Sequence, residues 1–241
     1  MAKRVTLFVT CLVDQLFPKI GLGMADVLER LGYDLDFPEA QTCCGQPAFN
    51  SGHWDEARDV ARYFLDVFRD SEYVVCPSGS CASMVAHHFE ELFAGEPDRL
   101  EQTLALKPRV WEFSQFLLDV AKVEDVGARL DRVVTFHDSC HGLRELRIKD
   151  GPRRLLSHVR GLELREMETA EECCGFGGTF SVKFPEISGG MARTKIDSIL
   201  QTGADAVVGL DSSCLLQIEG ALRRAGSGVR AMHLAEVLAS R

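Results

Sequence analysis

The sequence predicts an α/β protein of two similar tandem domains, each a small, mainly parallel sheet flanked by helices, with cysteines at the carboxyl ends of strands. Three observations lead there. Short β-branched runs alternate with helical stripes, the chain repeats itself in order, and eight of its nine cysteines recur at matched places in the two copies.

The first copy opens with "RVTLFVTC" (4–11), a buried strand over 4–10 that ends at Cys11. Basic residues before an apolar run imitate a secretory leader, but Asp14 interrupts the run and no small-residue cleavage site follows. Met24, Val27, Leu28 and Leu31 then form a helical stripe with Pro18 ahead of it. The doublet Cys43-Cys44-Gly45 comes next, followed by a second stripe of Trp54, Ala57, Val60, Ala61, Phe64, Leu65 and Phe68, read as core. A strand over 73–76 leads into "CPSGSCASM", which holds Cys76 and Cys81, and "VWEFSQFL" (110–117) closes the copy.

The second copy repeats this order. "RVVTFHDSC" (132–140) answers the first strand and ends at Cys140, and Cys173-Cys174-Gly175 answers the first doublet. "AVVGLDSSCLLQI" (206–218) answers 73–85 and places Cys214 opposite Cys81, while "AMHLAEVL" (231–238) answers "VWEFSQFL". Strands are predicted at 132–136, 162–167 and 205–209. The join falls in "AKVEDVGARLD" (121–131), giving domains 1–125 and 126–241. Ligands collect at the carboxyl edge of open α/β sheets, so four cysteines distant in sequence are expected to meet on one rim in each domain.

Composition excludes several classes. With 36 acidic against 27 basic residues and no basic cluster, the chain is not suited to nucleic acid or to an anionic membrane surface. No apolar run reaches the roughly 18 residues of a membrane span, and a cytoplasmic location without membrane insertion is expected. An odd cysteine count and a core that needs no staples argue against a disulfide framework. Neighbouring Cα atoms lie about 3.8 Å apart, below the roughly 4.4 Å of relaxed disulfides, so bonding within a doublet would be strained. Metal or redox chemistry becomes the leading class.

The two sets read Cys11-x31-Cys43-Cys44-x36-Cys81 and Cys140-x32-Cys173-Cys174-x39-Cys214. Adjacent residues on a strand face opposite ways, so both thiolates of a doublet reach one object only if the backbone turns there. The following glycine permits that turn. Four thiolates suit an iron–sulfur cluster or zinc. Zinc usually draws on tight Cys-x2–4-Cys knuckles, and the doublets with long gaps favour iron–sulfur.

The motifs "CPSGSCASM", "HDSCHGLRELRI" and "CCGFGGTFSVK" are together similar to those of the lactate-utilisation protein A (LutA) family. That family carries the duplicated CCG, or cysteine-rich, domain also found in the cysteine-rich component of heterodisulfide reductase and in the glycolate oxidase iron–sulfur protein. The resemblance covers nearly the whole chain. It implies an iron–sulfur electron-transfer subunit of a multi-subunit oxidoreductase, oxidising L-lactate to pyruvate with a ferredoxin-type, LutB-like subunit and a LutC-like protein. The implied cofactor is a [4Fe-4S] cluster, one or two per chain, held by Cys11, Cys43, Cys44 and Cys81 and by Cys140, Cys173, Cys174 and Cys214. In heterodisulfide reductase each motif ends in Cys-x-x-Cys and supplies five cysteines, whereas here Met84 and Gln217 stand at the last place. Two other readings stand beside this one: a zinc-stabilised binding or scaffold module, and a thiol–disulfide reductase component of the heterodisulfide type.

Other residues carry two readings each. His137 and His141 flank Cys140 and read either as outer partners that tune the metal site or as direct ligands to it, while Asp138 and Ser139 would cap the loop. Cys76 reads as strand-end packing or as an additional ligand, and its counterpart is Gly209. Arg144 reads as a solvated helix residue, and His87 and His88 as exposed. The glycines of "GFGGTF" (175–180) match no phosphate-binding loop and are expected to shape the cysteine turn.

Overall fold

The computed structural model describes residues 3–241 and divides the chain into two compact units, Met1–Ala121 and Lys122–Arg241. Each unit is an α/β layer structure on a four-stranded parallel sheet. The first sheet contains β1 (Arg4–Leu7), β2 (Asp34–Asp36), β3 (Val74–Cys76) and β4 (Val110–Glu112) in the order β2-β1-β3-β4. The second contains β5 (Arg129–His137), β6 (Arg160–Leu164), β7 (Ala206–Gly209) and β8 (Arg230–His233) in the order β6-β5-β7-β8. The two orders are the same, so the repeat seen in the sequence is a repeat of topology. In each sheet the chain first steps one way from the central strand and then crosses to its other side. Right-handed crossovers therefore put helices on both faces and open a crevice at the carboxyl edge, where the direction reverses.

The expected helices form where the stripes predict them. Pro18–Arg30 begins at Pro18 itself, since proline is tolerated in the first turn, and buries Met24, Val27 and Leu28. Trp54–Phe68 buries Ala57, Ala61, Phe64, Leu65 and Phe68. Trp54 corrects the reading of that stripe as core: it is 39% exposed and stacks on Phe49, with ring centroids 5.4 Å apart. Of the histidines expected to be exposed, His87 is, whereas His88 is half-buried against Phe49.

Three strands were not predicted. β2, β4 and β8 are three or four residues long and lie at sheet edges, where one flank makes no ladder and residues such as Asp34, Asp36 and Arg230 stay near solvent. Such strands lack the apolar run that marks a central one. The first strand is also shorter than expected, because the chain leaves the sheet at Leu7 to begin the loop that carries Cys11.

The core of the first unit is aromatic. Phe8, just past β1, meets Phe64 edge-on at 4.8 Å and Phe68 at 5.5 Å, and Phe64 also meets Phe89. The second unit is closed by aliphatic residues, among them Ile196, Ile199, Val207, Ile218 and Leu222, packed with Cys174 and Cys214. Its entry and exit lie side by side: the Arg129 N–H donates to the Ser240 carbonyl at 3.1 Å. Among the described residues no helix is long and apolar enough to cross a membrane. Phe64→Ala would remove the ring at the centre of the first core, and the expected cost is about 3–5 kcal/mol, read as a lower midpoint in chemical denaturation.

Candidate metal centres

All eight paired cysteines stand beyond the carboxyl ends of β1, β2 and β3 or of β5, β6 and β7. Cys11 and Cys140 open short helices, Cys11–Leu16 and Cys140–Arg144. Cys81 lies in Gly79–Ser83 and Cys214 in Ser212–Arg224. The doublets occupy the loops after β2 and β6, and the glycine that follows each takes a left-handed conformation, φ 85° at Gly45 and 86° at Gly175. Gly177 and Gly178 are left-handed as well, so the glycine-rich run shapes the turn.

Polar side chains fix these loops in place. Gln41 accepts from the Val9 N–H at 2.8 Å and donates to the Leu7 carbonyl, pinning the first doublet loop to the end of β1. Gln46 donates to the Ser80 carbonyl and pins it to the Cys81 turn. In the second unit Gln217, at the place of the absent last cysteine, donates to the Ser188 hydroxyl, which donates to the Gly175 carbonyl. The corresponding Met84 is buried. Gln41 and Gln46 were not singled out in the sequence, where nothing but their nearness to the cysteines marks them.

The sulfurs converge in each unit. The Cys11 thiol donates to the Cys43 sulfur at 3.7 Å, the Cys44 thiol to the Cys81 sulfur at 3.4 Å, and the Gly45 N–H to the Cys43 sulfur. Hydrogen bonds from the Cys11 and Cys44 thiols hold Cys43 down to about 3, while bonding to Cys43 pushes Cys11 and Cys44 up, with burial adding to both. In the second set the thiols of Cys140 and Cys174 and the Gly175 N–H hold Cys173 down to about 2. Cys214 is lowered to about 6, first by the Cys174 thiol and then, against burial, by the neighbouring His137. Cys140 and Cys174 are pushed up by the same bonds and by burial. Each set is thus a cluster of soft donors sharing protons, the donor chemistry of a metal site.

His137, the last residue of β5, is 1% exposed, and no nitrogen or oxygen atom hydrogen-bonds its ring, whose polar neighbour is the Cys214 thiol, a group whose pKa it helps to lower. Its ring lies with the sulfurs of Cys174 and Cys214, the donor atoms all within 4.8 Å of one another. An unpartnered buried polar group costs about 1–3 kcal/mol, so a cation here would satisfy what the protein leaves open. His141 faces Cys140, its Nδ1 3.5 Å from that sulfur. Cys76 is fully buried at the end of β3, and its thiol donates to the Ser78 carbonyl. Arg144 is exposed, as expected.

The second unit contains two charged features that the sequence reading missed. Arg153 forms a bidentate pair with the buried Asp138, both bonds 2.9 Å, and also meets Glu166. Burial works against the Arg153 charge, but these carboxylates outweigh it and raise its pKa. Lys195 is 1% exposed inside Pro185–Gln201, and its ammonium donates to the carbonyls of Thr169 and Ala170. Burial pushes its pKa down, opposed by Glu172 and Cys174. A charged residue within an apolar stripe (Ala192, Ile196, Ile199) was the available signal. A cleft of about 450 Å³ beside this site is lined by Asp138, Lys149, Arg153, Glu166 and Glu171. Its cations are engaged, Lys149 with Glu171 and Arg153 as described, so it offers no ready seat for a small carboxylate.

The cysteine-rich domain family, CCG, matches the chain twice, at residues 5–86 and 134–219. Lactate utilization protein A of Bacillus cereus (strain G9842) is 49% identical over 238 residues, 99% of both chains. Lactate utilization protein A 2 of Bacillus mycoides (strain KBAB4) is likewise 49% identical over 99% of both chains. The chain belongs to the lactate utilization protein A family. Within this family assignment the two CCG matches each take in one complete set of four cysteines, and both sets lie on the rims described above. A hypothetical protein from Helicobacter pylori has a similar fold, with a TM-score of 0.64 at 12% identity over 98% of this chain and 48% of that one.

A Cβ on Gly175 would lie 2.6 Å from the Ser188 carbonyl oxygen, whereas on Gly45 it would lie 3.3 Å from that of Ala57. Left-handed backbone alone costs a side chain about 1–3 kcal/mol. Gly175→Ala is therefore expected to lower the melting temperature more than Gly45→Ala, with loss of metal uptake by the second set.

Proposed function

We propose that this chain is an iron–sulfur electron-transfer subunit of an oxidoreductase that converts L-lactate to pyruvate, with one centre in each unit. The observation that carries the reading is the convergence of four sulfurs, including both members of a doublet, on each carboxyl rim. The substrate comes from the name of the relatives, lactate utilization protein A.

Cys11, Cys43, Cys44 and Cys81 would hold the first centre, and Cys140, Cys173, Cys174 and Cys214 the second. A [4Fe-4S] cluster bound there supplies one-electron redox chemistry. The chain's own residues set its surroundings. Gly45 and Gly175 N–H groups donate to the Cys43 and Cys173 sulfurs, a hydrogen bond of the kind that tunes cluster potential. Phe8, three residues before Cys11, is fully buried against Phe64 and keeps water from the core of that unit. Oxidation of lactate releases two electrons, and the sequence lacks the ferredoxin-type cysteine run that would carry them onward. A LutB-like ferredoxin-type protein and a LutC-like protein would complete the path, in the cytoplasm.

A second reading is favoured by one observation: His137 with Cys174 and Cys214 is a mixed nitrogen and sulfur donor set that also suits zinc. Such a module would bind or scaffold without electron transfer.

Anaerobic reconstitution with iron and sulfide separates the two. Several irons with matching sulfide per chain and an EPR signal that changes on reduction are expected. Serine at Cys43 and Cys44 should remove about half of the iron, and serine at Cys173 and Cys174 the other half. Zinc retention without iron uptake would overturn the electron-transfer reading.

A further inference from the structure

The duplication allows the two sites to be compared position by position. Val75 and Val208 occupy the same place in β3 and β7, as do Cys76 and Gly209, because the next strands end in the helix-capping residues Glu112 and His233. Leu7 pairs with Val75 and Phe136 with Val208, so the following residues, Phe8 and His137, correspond. The helices align just as closely. The Cβ positions of Gly45 and Gly175 face Ala57 and Val60 in one unit and Ser188 and Met191 in the other, which puts Lys195 at the place of Phe64. In the first unit Phe8 and Phe64 pack edge to face. In the second, the same two places hold an imidazole and an ammonium.

His137 differs from the other fully buried histidine of this unit. In His233, Nε2 donates to the Leu210 carbonyl at 2.8 Å and Nδ1 accepts from the Ala235 N–H, so its ring is satisfied by the fold. The His137 ring has neither kind of partner and no exposure to water, and it lies with two cysteine sulfurs. No backbone group anchors its ring, and the polar atoms it faces are the Cys174 and Cys214 sulfurs, the second of which it helps to hold as thiolate.

We infer that His137 is a direct nitrogen donor to the metal of the second set, giving that centre a fifth protein ligand where the first set has the ring of Phe8. The two centres then differ in kind: four thiolates in the first, four thiolates and an imidazole in the second. Gln217 stands where a fifth cysteine would be and is committed to Ser188, so the additional donor comes from a strand end instead. The inference rests on the metal-site reading given above and holds for iron or for another thiophilic cation.

Pulsed EPR on the reduced, iron-reconstituted protein tests it, using chain labelled with 15N-histidine. The expected result is a directly bound nitrogen coupling that changes with the label. It should persist when Cys43 and Cys44 are serine, persist in His141→Gln, and vanish in His137→Phe, which copies the first unit. Should iron not enter, cobalt(II) alone replaces it. Loss of even an outer partner of a ligand costs ten- to hundredfold in affinity, so His137→Phe should bind cobalt at least about tenfold more weakly, with shifted ligand-field bands. A reduced second centre with no nitrogen coupling, a coupling that follows His141, or a cobalt spectrum unmoved by His137→Phe would overturn the inference. Cobalt held through His137 without iron uptake would sink the iron–sulfur reading and leave this one standing. Failure of the second set to hold either metal would sink both.

Discussion

Two thiols on adjacent residues can converge on one point only where the chain reverses immediately after them, and each unit is arranged around that reversal. The residue that makes it is left-handed, and at Gly175 the space a side chain would need is already taken by the Ser188 carbonyl. The doublet loop must then be held still, because a turn without side-chain packing has little stiffness of its own. Gln41 and Gln46 do this in the first unit, and the relay from Gln217 through Ser188 does it in the second. The parallel sheet supplies the other two cysteines. Its strands end together, so loops from neighbouring strands bring Cys11 and Cys81, or Cys140 and Cys214, to the same rim.

The copies keep this frame and differ in what surrounds it. Where the first unit has the interlocked rings of Phe8 and Phe64, the second has His137 and Lys195, with the Asp138–Arg153 pair nearby. A buried ion pair adds little net stability, but removing one member leaves an uncompensated charge, so such a group persists only within a complete set of partners. Here the partners are present: Arg153 for Asp138, and backbone carbonyls for Lys195. The second unit therefore carries buried polar groups, each with partners, at places where the first has ordinary hydrophobic packing.

Much of this was legible in the sequence because cysteine is rare and its spacing survives copying. The alternation of strands and helices, the order of the repeat and the role of the glycine after each doublet all follow from local patterns. The edge strands β2, β4 and β8 were not legible, since a three-residue segment with one free flank carries no period. Trp54 was misread because helical spacing places it on the apolar stripe, while its position in the first turn leaves it half out of the core, stacked on Phe49. Lys195 left one mark, a charge within an apolar stripe, but its match to Phe64 depends on knowing which glycine faces which helix turn. The open ring of His137 was beyond reach, because a missing hydrogen bond leaves no mark in a sequence.

The meeting of Arg129 with Ser240 at the boundary of the second unit carries a genetic consequence. A segment whose start and finish are neighbours in space can be cut out or spliced in by joining its flanks, and none of its strands has to find a new partner. For such a module tandem copying is a cheap event: one in-frame duplication yields a second complete sheet with its own rim, free to diverge residue by residue while the original keeps its duty.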